Sequence, residues 1–140
     1  RMDATIFDPA SEETADIVIA DLPCSGLGVM RKKTDIKYKM TPETEKELVC
    51  LQQKILDTVC RYAKSGGTLL YSTCTIDKME NENNVEWFLK THPEYELVRM
   101  QQIFPMDSYG DGFFLAKLKK TGSVRKESDG ATDKETEWNN

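Results

Sequence analysis

Two short apolar runs, each ending in a cysteine-bearing loop, constrain this chain most: Asp16-Ile-Val-Ile-Ala-Asp-Leu-Pro-Cys-Ser-Gly26 and Gly67-Thr-Leu-Leu-Tyr-Ser-Thr-Cys-Thr75. Ile17 to Ala20 and Thr68 to Tyr71 are apolar or β-branched on both faces, as strands buried on both sides of a parallel sheet are. Both read as interior strands. A long helical pattern separates them, and a right-handed crossover through that helix makes the strands parallel, with their C-terminal ends on one edge. Ligands of open α/β sheets bind just outside those ends, and neighbouring strands lie about 4.8 Å apart. Cys24 and Cys74 are therefore expected to face one crevice.

The helix between them is predicted over 42–64. Thr41-Pro42-Glu43 supplies an N-cap, a proline at the first helical position and an acid in the first turn. Leu48, Leu51, Ile55, Val59 and Tyr62 form the apolar stripe, and Ser65-Gly66-Gly67 ends it. Cys50 and Cys60 lie inside this helix and read as small buried hydrophobes. A second helix is predicted over 77–91, with Val85, Phe88 and Leu89 inward and His92-Pro93 closing it, the histidine as a surface cap. Strands follow near 95–100 and 113–118 as a hairpin-like pair. From Lys119 onward charges alternate and apolar residues nearly vanish, so residues 121–140 are expected to be a disordered tail and 1–120 the folded part.

A length of 140 residues and a hydrophobic fraction of 39% suit one domain. No run of about 18 apolar residues exists and the N-terminus lacks a basic-then-apolar signal, so a cytoplasmic protein with no membrane partner is expected, and a monomer is expected besides. Four cysteines without C-x-x-C spacing and a single histidine argue against a metal site and against a disulfide framework. The net charge of −5 does not advertise a nucleic-acid binder, but Arg31, Lys32, Lys33, Lys37 and Lys39 cluster against Asp35 directly after the first thiol loop. A thiol at an ordinary pKa near 8.5 is only about 3% thiolate at pH 7, so a nucleophilic cysteine needs a base or cation nearby. Asp21 and the basic cluster are the nearest groups. On spacing alone, catalysis and an inert pair of strand-end cysteines both stay open.

Three ordered motifs carry a resemblance that spans residues 1 to 120: Asp21-Leu-Pro-Cys-Ser-Gly26, Ser72-Thr-Cys-Thr75 and Asp111-Gly-Phe-Phe114. Together they are similar to the RsmB/Sun (Fmu) type of RNA (cytosine-5) methyltransferase. The resemblance implies an α/β fold, the C-terminal half of a Rossmann-like methyltransferase sheet, with two parallel strands, a terminal strand pair and helices packed on the sheet. It implies S-adenosyl-L-methionine as methyl donor and a cytosine of RNA, by analogy small-subunit ribosomal RNA, as substrate. Cys74 matches the nucleophile that adds to carbon 6 of a flipped-out cytosine, and Cys24 the second cysteine, implicated in product release. Asp3 matches a residue that contacts the cofactor's adenosine, and Asp21 one at the junction of cofactor and target base. The family's Gly-rich cofactor loop, and an N-terminal RNA-binding domain, would precede Arg1. An upstream part of the same protein is thus an expected partner, and the fragment alone is expected to bind cofactor weakly and to be inactive.

Rival readings differ at the second cysteine. A DNA cytosine-5 methyltransferase uses the Pro-Cys loop thiol as nucleophile and has no Ser-Thr-Cys-Thr motif after the next strand. An amino-directed enzyme would carry an aromatic residue in place of Cys24. A non-catalytic nucleic-acid or protein interaction module is the alternative from a different class.

Overall fold

Thr41 starts the longest helix as its sequence predicts. Its hydroxyl accepts from the Thr44 N–H, the Thr44 hydroxyl faces back to the Thr41 N–H, and Pro42 takes the first helical position. The computed structural model describes residues 2–29, 41–105 and 110–122. Its elements are β1 (Ala15–Asp21), α1 (Pro42–Val59), β2 (Ala63–Thr73), α2 (Glu82–Thr91), β3 (Tyr95–Ile103) and β4 (Phe113–Lys120). The basic cluster at 31–39, the middle of the loop before β4 and nearly all of the expected tail lie outside the described residues.

The four strands form one sheet in the order β1-β2-β4-β3. β1 and β2 are parallel, with Val18 opposite Leu69 and Asp21 opposite Ser72. β4 runs antiparallel to both β2 and β3, so the terminal pair is a hairpin whose second strand inserts beside β2. This is the α/β architecture of a partial Rossmann-like sheet.

Both helices cover one face of that sheet. Leu69 and Tyr71 of β2 and Phe114, Ala116 and Leu118 of β4 meet Ile55, Leu56 and Val59 of α1 and Val85 and Phe88 of α2. Phe88 and Phe114 are fully buried, and each such side chain contributes about 1.5–3 kcal/mol by leaving water. Among the described residues no helix is long and apolar enough to cross a membrane.

Four expectations need correction. β1 is an edge strand rather than an interior one, because no described strand pairs beyond it, and Ile17 and Ile19 on the uncovered face are 64% and 69% exposed. Their β-branched character fits any pleated strand, whether at an edge or within a sheet. Helix α1 ends at Val59 rather than 64. Cys60–Tyr62 form a single 3-10 turn, and Ser65-Gly66-Gly67, read as the helix stop, lies inside β2. Gly66 there adopts φ 76°, in an irregularity where Ala15 pairs with Ala63 but Ile17 pairs with Thr68. Helix α2 starts at Glu82 rather than 77, since Asp77 to Asn81 are taken up by a turn. Cys50 is exposed, whereas Cys60 is buried as expected.

Candidate active site

Proline at 23 ends β1, because it has no N–H to give the sheet. The chain leaves the sheet after a last bond from the Leu22 N–H to the Ser72 carbonyl. Three loops then meet. The Gly28 N–H donates to the Cys74 carbonyl at 3.1 Å, and the Gly112 N–H to the Gly28 carbonyl at 2.8 Å. A Cβ on Gly28 would stand 2.8 Å from the Cys74 carbonyl oxygen, so only glycine lets the loops after β1, after β2 and before β4 meet. Gly112, the glycine of Asp111-Gly-Phe-Phe114, is crowded in turn, a Cβ there standing 2.8 Å from Ile76 Cγ2 and 3.0 Å from Gly28 Cα.

The parallel register brings Cys24 and Cys74 together, with their sulfurs 3.2 Å apart. Both are partly exposed. Burial, and then the hydrogen bond with Cys74, push the Cys24 thiol up to about 12 from an ordinary 9.0. Cys24 is therefore an S–H at neutral pH, facing the sulfur of Cys74.

The two aspartates singled out in the sequence stand differently. Asp21, exposed at the C-terminal end of β1, accepts from the Ser72 hydroxyl at 2.9 Å. Asp3, fully exposed, sits in a turn where the Thr5 N–H and hydroxyl donate to one carboxylate oxygen at 2.9 and 2.7 Å, and the backbone bond holds its pKa below the usual value. It shares no hydrogen bond with either thiol loop among the described residues. His92 does cap α2, its N–H reaching the Phe88 carbonyl, but it is buried rather than on the surface. Its ring stacks on Phe88 and meets Asp57 at 3.1 Å, remote from the thiols in the bonding pattern.

A buried polar network behind the thiols was not read from the sequence. Gln52 on α1, Glu80 and Asn81 in the turn into α2, and Asn84 in the first turn of α2 are fully buried. Asn81 accepts from Thr73 at 2.6 Å and donates to the Thr75 carbonyl at 3.0 Å. Gln52 donates to Glu80 and to the Pro23 carbonyl, and accepts from Asn84. The available signal was Gln52 itself, three and four residues before Ile55 and Leu56 on the inward stripe.

Compared with known proteins, residues 1–119 match the family described as 16S rRNA methyltransferase RsmB/F. The chain is 34% identical over 141 residues to ribosomal RNA small subunit methyltransferase F of Cronobacter sakazakii, covering 89% of this chain and 29% of that protein. It is 38% identical over 124 residues to a probable ribosomal RNA small subunit methyltransferase B of Synechocystis, covering 77% and 28%. The chain thus spans under a third of the length of these curated relatives. Among solved structures, PH0851 superposes with a TM-score of 0.75 at 36% identity, covering 78% of this chain and 27% of that one. NSun6 from Pyrococcus horikoshii, solved with SFG, superposes with a TM-score of 0.69 at 25% identity, covering 86% and 34%.

Proposed function

Because the chain belongs to the 16S rRNA methyltransferase RsmB/F family, we propose that it furnishes the thiol pair of an S-adenosylmethionine-dependent enzyme that methylates carbon 5 of a cytosine in small-subunit ribosomal RNA. The observation that carries this reading is the 3.2 Å approach of Cys24 and Cys74 at the ends of two parallel strands. Relatives named as ribosomal RNA methyltransferases support the substrate class, and a neighbour solved with SFG, an S-adenosylmethionine analogue, supports the donor.

The residues fit such a donor. Asp21 is an exposed carboxylate at the strand end where open α/β sheets bind ligands, and Asp3 is an exposed carboxylate whose pKa the Thr5 hydrogen bonds hold below the usual value. Both accept hydrogen bonds of the kind a nucleoside's hydroxyl and amino groups give. When bound, S-adenosylmethionine supplies an electrophilic methyl group.

Cys74 works on the base. Its thiolate forms a bond to carbon 6 of the cytosine, and the electron pair of the 5,6 double bond moves to carbon 5, making that carbon nucleophilic. After methylation the carbon 5 proton leaves to a base, the double bond re-forms and the Cys74 sulfur is expelled as thiolate. Cys24, protonated at neutral pH and in contact with that sulfur, keeps its proton and gives the departing thiolate a hydrogen bond.

The test is a methyl-transfer assay with small-subunit ribosomal RNA and radiolabelled S-adenosylmethionine, run on a protein of the relatives' length that contains this chain. Label in 5-methylcytosine is expected, and label on an exocyclic nitrogen or a ribose would overturn the reading.

A further inference from the structure

We propose that Gln52 and Glu80 are positioning residues for Cys24, clamping the backbone on both sides of it and so setting where its sulfur stands against Cys74. On one side the Gln52 amide donates to the Pro23 carbonyl at 2.9 Å, and on the other the Ser25 N–H donates to Glu80 Oε2 at 3.0 Å. The two side chains are joined at 2.7 Å, Gln52 Nε2 donating to the same Glu80 oxygen. Pro23, Cys24, Ser25, Glu80 and Gln52 therefore form a closed ring with Cys24 at its apex.

The ring is itself held. Asn84 Nδ2 donates to Gln52 Oε1 at 2.8 Å, which turns the Gln52 N–H groups toward Glu80 and Pro23, and Gln53 secures Asn84 at 3.0 Å. The Tyr71 hydroxyl donates to the Glu80 carbonyl and fixes that backbone to the C-terminal part of β2.

A carboxyl group is expensive to bury, and Glu80 is fully buried with its Oε1 making no hydrogen bond among the described residues. Apolar residues of similar volume at 52 and 80 would serve packing better. What the pair holds instead is the backbone flanking one cysteine, and a sulfur misplaced by about 1 Å loses most of its effectiveness toward its neighbour.

The release role of Cys24 rests on the function proposed above, whereas the clamp is a geometric statement that can be tested apart from it. In the 140-residue chain, equilibration with reduced and oxidised glutathione converts the two thiols to a disulfide, oxidised glutathione being reduced to two glutathione thiols. Peptide mapping of the Cys24–Cys74 link gives their effective molarity. Glu80→Ala should lower it about tenfold or more, while Glu80→Gln, which keeps an acceptor for Ser25 and Gln52, should stay within about threefold of wild type. Gln52→Leu, which removes the other anchor, should also lower it and serves if Glu80→Ala does not fold. A folded Glu80→Ala or Gln52→Leu chain with the wild-type effective molarity would overturn the clamp. In the RNA reaction, the same variants should accumulate the covalent protein–RNA adduct expected of Cys24→Ala, with rescue by Glu80→Gln. A lowered effective molarity without adduct would leave the clamp standing and overturn the release role of Cys24.

Discussion

Ser25 and Thr75, each the residue after a cysteine, meet through their hydroxyls at 2.8 Å, so the two thiol loops are tied one position beyond the sulfurs as well as at them. Both side chains are buried, and Thr75 also accepts from the Asp77 N–H at 3.2 Å. Ser25→Ala leaves the Thr75 hydroxyl one partner short in a buried site. Urea unfolding should show a loss of about 1 kcal/mol, with no change in the dependence on urea.

The two faces of the sheet predict opposite sensitivities. Phe88 is fully buried, stacked on His92 and edge-on to Tyr95, and Phe88→Ala should cost about 3–5 kcal/mol in the same measurement. Ile19, on the face no described element covers, is 69% exposed, and Ile19→Ala should change stability by less than about 0.5 kcal/mol. A large loss at Ile19 would mean that this face is covered.

How much of this was legible follows from what each residue has to satisfy. Thr41 and Pro42 announced the start of α1, because a helix N-terminus makes a local demand met by neighbouring residues. The parallel pairing of β1 with β2 and the meeting of Cys24 with Cys74 were legible too, because crossover handedness leaves one solution. The end of α1 was not. Ser65-Gly66-Gly67 reads equally as a helix stop and as an irregular strand start, and pairing with β1 chose the strand. The edge position of β1 was also hidden, since pairing beyond Ile17 and Ile19 is not encoded in those residues. Gln52 and Glu80 escaped because a polar residue on an inward stripe reveals its purpose only when its distant partners, Pro23 and Ser25, are in place. Helix α2 began late for the same reason, the Asn81 side chain bonding Thr73 and Thr75 rather than capping the helix.

Stability should fall in alkali. Burial holds the Cys24 and Cys60 thiols up at about 12 against an ordinary 9.0, and carboxylates at Glu94 and Asp57 add to the effect at Cys60. The folded chain therefore keeps protons that the unfolded chain gives up above pH 9. This contribution is complete below pH 9 and is lost as pH rises through the window from 9 to 12. Tyr71 and Tyr95, also pushed up by burial, steepen the fall above pH 10. Thermal midpoints should drop between pH 9 and pH 11, and Cys60→Ala should show a shallower drop. A midpoint that is level over this range would contradict the burial of these groups.

The most direct measurement is the covalent adduct itself, observed on a denaturing gel after incubating RNA and S-adenosylmethionine with a protein of the relatives' length that contains this chain. Cys74→Ala should abolish both methyl transfer and adduct, because without the bond to carbon 6 the cytosine carbon 5 is too poor a nucleophile, while RNA binding survives. Cys24→Ala should permit addition and methylation but slow the expulsion of Cys74, so that a protein–RNA band accumulates. If Cys74→Ala traps the adduct and Cys24→Ala loses it, the nucleophile is Cys24 and the assignment of the two sulfurs is reversed.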